Sequence, residues 1–93
     1  MSDDNGLNGE LTGTIKLVGE EQVFDSGFNK RDIVLTVSDG KYDQDVKVSF
    51  MKERTELVAN LEEGEDITVS YNIRGSEYNE KYYVELIGWK VTA

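Results

Sequence analysis

The sequence predicts a small all-β domain with one short helix. Apolar and polar residues alternate over five separate stretches, the period of a half-buried strand. Asp, Asn, Ser and Gly residues cluster between those stretches, where chain reversals need them. One stretch alone, residues 52–61, changes to helical spacing.

The first predicted strand is long, spanning residues 10–24. Leu11, Ile15 and Leu17 fall at odd positions between Thr12, Thr14 and Lys16. Gly13 within it marks a bulge or a sharp bend. Asp25-Ser26-Gly27 is a turn. The second strand covers residues 28–38, with Ile33, Leu35 and Val37 on one face and Phe28, Lys30, Asp32, Val34 and Thr36 on the other. Ser38-Asp39-Gly40 closes a hairpin to the third strand, residues 43–50, where Val46, Val48 and Phe50 alternate with Asp45, Lys47 and Ser49.

Residues 52–61 carry Leu57, Val58 and Leu61 at helical spacing among good helix formers. Gly64 ends that segment. The fourth strand, residues 66–74, places Ile67, Val69, Tyr71 and Ile73 on one face, which assigns Tyr71 to the core. A turn built on Gly75 and Asn79 leads to the fifth strand, residues 81–91. Its phase changes: Val84 and Leu86 share one face, but Ile87, Trp89 and Val91 share the other. Both faces are covered, or a bulge near Gly88 switches the phase. Three strands, a short helix and two strands is the order of the OB-fold, a five-stranded Greek-key barrel (β-β-β-α-β-β). Another small β-barrel, or an open sheet with one helix, is the competing topology.

Ninety-three residues make one domain, with residues 1–8 read as a disordered acidic tail and 9–93 as the barrel. The chain contains no cysteine and no histidine, so disulfides, thiolate metal sites and the commonest general base are absent. No apolar run reaches the roughly 20 residues that cross a bilayer. The polar, acidic start is unlike a secretory signal, and a cytoplasmic protein is expected. Ten basic residues face nineteen acidic ones, a net charge of -9. That balance disfavours a nonspecific duplex-DNA binder, whose affinity rests on neutralising phosphates. It still permits a single-strand binder, where base stacking supplies part of the energy.

Residues 71–89 hold five of the nine aromatic residues, with Arg74 and Lys81 flanking the turn. Residues 63–75 and then Glu77-Tyr78-Asn79, Lys81-Tyr82-Tyr83 and residues 86–91 resemble a family of small OB-fold proteins. That family occurs in Bacteroidetes and their phages and is described as a domain of unknown function. Phe28-Asn29-Lys30-Arg31 resembles the aromatic and basic pair of its second strand. The resemblance covers roughly residues 9–92. It implies an OB-fold and, by similarity to bacterial and phage single-strand binders, single-stranded DNA binding. It implies no catalytic residues.

OB barrels bind oligonucleotides on the outer face of the second and third strands. The outward cations and aromatic there are Lys16, Phe28, Lys30 and Lys47; Asp32 and Asp45 on the same face weigh against binding. The competing reading is a solvated sheet face carrying ordinary lysines. Arg31 points inward by alternation and contributes only from the mouth of a strand. Arg74, Tyr78 and Lys81 lie in or beside the turn, free to clamp a ligand. Tyr82 and Tyr83 lie on opposite faces, and Tyr83 is taken as the one on the binding side. Trp89 reads as a structural aromatic. The acidic cluster Glu62, Glu63, Glu65 and Asp66 lacks the ligand spacing of a calcium loop and reads as a solvated linker. No cofactor, metal or enzyme activity is expected. The expected partner is single-stranded DNA, with a second copy or replication and recombination proteins as further partners. A protein-interaction module on the same fold is the alternative.

Overall fold

Residue pairing closes the sheet into a barrel. The computed structural model describes residues 8–92. Its elements are β1 (Asn8–Val18), β2 (Gln22–Val23), β3 (Asn29–Ser38), β4 (Asp43–Met51), a 3-10 helix (Lys52–Leu57), β5 (Asp66–Tyr78) and β6 (Lys81–Thr92). The order around the barrel is β1-β5-β6-β4-β3, and β3 returns to β1. β2 is a two-residue strand added outside β3. The five-stranded OB-type barrel expected from the order of elements is therefore present.

β1 belongs to both halves of the barrel. Residues 8–14 pair with β5, and residues 14–18 pair with β3. The change of partner falls at Gly13 and Thr14. A Cβ on Gly13 would lie 2.7 Å from the Thr36 carbonyl oxygen, so only glycine lets the strands approach there. The bend expected at Gly13 is found, and a separate register shift falls between Ile15 and Leu17. That shift explains Leu17, whose odd position predicted burial but which is 49% exposed.

The core is Ile15, Ile33, Leu35, Val48, Phe50, Val58, Ile67 and Val69, with Leu86 and Val91 packed against it. Leu86 and Val91 differ in parity, and both face inward because β6 carries an extra residue. Ser70 pairs with Lys90 but Tyr71 pairs with Gly88, leaving Trp89 as the bulged residue. Of the two alternatives for this strand, two covered faces or a bulge near Gly88, the bulge is the one found. Gly88 itself lies on the Phe50 ring, where a Cβ would come within 2.3 Å.

Several local expectations are corrected. The first predicted strand, residues 10–24, breaks at Gly19. The Gly19 N–H donates to the Asp32 carbonyl. The Gly19 carbonyl accepts from Arg31 Nη1 at 2.8 Å. The expected tail, residues 1–8, lies outside the described residues except for Asn8, which opens β1. The predicted helix over 52–61 is a 3-10 helix over Lys52–Leu57, burying Thr55 and leaving Leu57 exposed. So short a segment gains little from cooperative α-helical bonding and takes the tighter 3-10 form common in short connectors. The acidic segment after it is pinned to β1: Gly64 N–H donates to Ile15, and Ile15 N–H donates to Glu65. Tyr71 is half-buried and lies outside the core cluster; it covers Gly9 of β1, its cross-strand partner.

The turn expected on Gly75 and Asn79 is shorter than predicted. β5 continues through Gly75 to Tyr78, and only Asn79 and Glu80 form the reversal, with φ of 55° and 63°. Two consecutive left-handed residues make a hairpin turn whose twist matches its strands. Arg74 is therefore a strand residue opposite Glu85. Every residue from Asn72 to Val84 is exposed, so the β5–β6 hairpin stands off the barrel as an arm. Its ladder from Asn72 to Tyr78 is about 20 Å long at the usual strand rise.

Candidate nucleic-acid interface

One cleft gathers residues from four parts of the chain. Its volume is about 770 Å³, and it is lined by Phe24, Ser26, Phe28, Lys30, Met51, Lys52, Glu53, Arg54, Arg74, Glu85 and Ile87. Four of the ten basic residues are in it, against two carboxylates. In a chain of net charge -9 this is a local reversal of sign.

The aromatic wall comes from the loop between β2 and β3. Phe24 N–H donates to the Phe28 carbonyl, and Gly27 N–H donates to the Phe24 carbonyl, both at 2.8 Å. Gly27, at φ 87°, permits that reversal. The loop brings the two rings to a centroid separation of 5.8 Å with 28° between their planes. Phe24 remains 44% exposed, so its ring offers area to a ligand.

Lys30 rises from β3 beside this pair, half-buried, with its Nζ 4.0 Å from Asp32 Oδ1. That separation is too long for a hydrogen bond, and Lys30 also lines the cleft. Lys52 enters from the β4–helix junction in an unusual conformation, φ 57°. Its carbonyl accepts from Thr55 Oγ1 at 2.9 Å and from Asn29 Nδ2 at 3.2 Å. Asn29 is itself held by Glu21 Oε2 at 2.7 Å. A lysine in the left-handed region costs about 1 kcal/mol or more and persists because its surroundings over-determine it. Here the clamp fixes the backbone from which the Lys52 side chain reaches the cleft.

The arm prolongs the cleft. Direct cross-strand partners share a face, so Arg74 with Glu85, Ser76 with Tyr83, and Tyr78 with Lys81 lie on one side of it. This is the side that lines the cleft through Arg74, Glu85 and Ile87. Tyr78 is 69% exposed and Tyr83 is 49% exposed. Six of the residues singled out from the sequence thus form one path: Phe28, Lys30 and Arg74 at the cleft, then Tyr83, Tyr78 and Lys81 toward the tip.

The other three stand apart. Lys16 donates to Asp45 Oδ2 at 2.7 Å, and both side chains are more than half exposed. The Lys16 hydrogen bond, aided by one from Thr36, holds the Asp45 carboxyl below its usual value. Lys47 lines a second, smaller hollow of about 340 Å³ with Val84 and Leu86. Arg31 is committed to the Gly19 carbonyl. Alternation does not single out Phe24, Lys52 or Arg54. Phe24 falls at the end of a predicted strand, and Lys52 and Arg54 fall in the predicted helix. The signal for Phe24 was the spacing Phe-Asp-Ser-Gly-Phe, a five-residue reversal with a ring at each end. Trp89 lines neither hollow and is 40% exposed at its bulge. Among the described residues no group of three or more carboxylates is placed to hold a metal ion, the acidic segment included. Among them, too, no helix is long and apolar enough to cross a membrane.

A barrel of this topology with a cleft beside β3 and a projecting β5–β6 arm is an OB-fold. The chain belongs to the family described as domain of unknown function DUF3127, whose model matches residues 10–92. The family resemblance read from the arm and the second predicted strand is therefore correct. No curated protein matches the sequence. Among solved structures, the chain is similar to the SSB domain of a Synechococcus protein, at TM-score 0.75 and 13% identity, covering 99% of this chain and 100% of that one. It is also similar to the mitochondrial single-stranded DNA-binding protein Rim1 of S. cerevisiae, at TM-score 0.76 and 9% identity, covering 91% of each chain. A third is a deletion variant of the single-stranded DNA-binding protein from Thermus aquaticus, at TM-score 0.74 and 13% identity, covering 97% of this chain and 43% of that one. At these identities the likeness is one of fold.

Proposed function

We propose that this protein binds single-stranded DNA through the Phe24–Phe28 cleft and the adjoining face of the arm. The observation that carries this reading is the meeting of a stacked phenylalanine pair with four cations in one cleft of an otherwise acidic molecule. Unpaired bases stack on exposed rings, at ~1–3 kcal/mol each, and neighbouring cations take the phosphates. Tyr83 and Tyr78 continue the stacking surface along the arm. The solved single-stranded DNA-binding proteins of the same fold support the choice of ligand. Binding of this kind tolerates sequence, because every base has a π-face. It suits a protein without catalytic chemistry that protects or presents strands during replication or recombination, in a bacterial or phage-infected cytoplasm. Lys16, Lys47 and Arg31 lie outside this path and are assigned a lesser role.

Fluorescence titration with a labelled dT oligonucleotide at low salt tests the proposal. Binding within tens of micromolar is expected, with a loss of about fivefold or more in Phe28→Ala, the size of one stacking contact. No binding in that range sinks it.

A second reading has its own observation. The opposite face of the arm exposes Ile73, Tyr82 and Val84, at 37%, 77% and 71%. That face suits a protein contact, with a second copy or with another component, and its use is compatible with DNA on the first face.

A further inference from the structure

We infer that Glu85 reads the edge of a base stacked in the cleft, so that the site favours guanine over thymine. The inference rests on the single-stranded DNA reading above and adds a preference to it.

A carboxylate in a phosphate-binding cleft is electrostatically out of place. Glu53 lies in the exposed 3-10 helix, where water screens it. Glu85 is different. It is half-buried in β6, directly opposite Arg74, and lines the same cleft as the stacked phenylalanines. Among the described residues the ion pairs are Lys16 with Asp45 and Lys30 with Asp32. Glu85 therefore has no cation within 4.0 Å, although Arg74 is its cross-strand neighbour. Its oxygens are available to a ligand.

An ionised carboxylate only accepts hydrogen bonds. It repels a phosphate and the carbonyl edge of a base, and it attracts N–H groups. The Watson–Crick edge of guanine presents a ring N–H beside an amino group, two donors for two carboxylate oxygens. Cytosine and adenine each present an amino group. Thymine presents one ring N–H between two carbonyl oxygens, which a carboxylate repels. In a single strand these edges are open to side chains, as they are not in a duplex. Stacking on Phe24 and Phe28 would hold the base, Arg74 and Lys30 its flanking phosphates, and Glu85 its edge.

The test uses fluorescence anisotropy with a dT 12-mer and the same 12-mer carrying isolated guanines, too sparse to form quadruplexes. A carboxylate that meets both guanine donors should make the guanine-bearing strand bind about fivefold or more tighter. Glu85→Gln loses the charge and one acceptor. It should bring the two strands to near parity, with dT binding tightened because the charge that repels thymine and phosphate is gone. Inosine in place of guanine, lacking the amino group, should fall between them. Equal binding of the two strands by the native protein, or an undiminished guanine preference in Glu85→Gln, overturns the inference and leaves DNA binding standing. Absence of binding to both strands overturns the DNA reading and this inference together.

Discussion

At the scale of the residue, Lys52 best separates function from stability. Its φ of 57° is a conformation that glycine adopts freely. A turn serving the fold alone would gain from glycine there, whereas a lysine supplies a cation to the cleft. Lys52→Gly is expected to stabilise the protein by about 0.5–1 kcal/mol, read as a higher midpoint in thermal or urea unfolding. The same variant should bind single strands several-fold more weakly at low salt, with the salt slope reduced by about 0.7, the share of one phosphate. A variant that binds as tightly as the native protein would show that Lys52 only closes a turn.

The arm is the element whose behaviour departs most from that of the barrel. A two-stranded hairpin with both faces exposed is marginally stable in water. Its tip is Asn79-Glu80, with both residues in the left-handed region. Asn tolerates that region and Glu does not, so Glu80→Gly gives the Asn-Gly pair that such turns favour. The expected outcome is a gain of about 0.5–1 kcal/mol, seen as slower amide exchange for residues 72–84. Exchange unchanged along the arm would show that contacts other than the turn hold it. On the DNA reading, a pre-formed arm also binds no more weakly than the native one, because Arg74, Tyr78 and Tyr83 keep their shared face.

For the whole molecule, charge sets the limits of binding. The chain carries nineteen acidic residues, and its cleft gathers four cations. Those four and Lys81 on the arm neutralise five phosphates at most, so log K against log salt should have a slope no steeper than about -3.5 for single strands. Duplex DNA, whose bases cannot reach Phe24 and Phe28, should bind far more weakly at every salt concentration. A slope near -6, or equal affinity for duplex and single strand, would place the contact on a wider surface than the cleft. The Lys16–Asp45 pair adds little on either account, being exposed on both sides.

Periodicity alone determined the all-β class and the strand cores at Ile33, Leu35, Val48, Phe50, Ile67 and Val69, and it narrowed β6 to a bulge or two covered faces. These are legible because alternation is a property of neighbours along the chain, and because a barrel buries one face of every strand. Lys30 on β3, Phe28 just before it and the aromatic arm were legible for the same reason. The cleft was not. It depends on a loop that folds Phe24 onto Phe28, on a lysine held in a rare conformation by Asn29 and Thr55, and on closure that sets Arg74 of β5 near Lys30 of β3. Spacing also misjudged Leu17, Tyr71 and the length of the turn, because a bulge, a covering contact and a two-residue reversal each override parity. Alternation says which face a side chain takes; only closure of the barrel decides which faces meet.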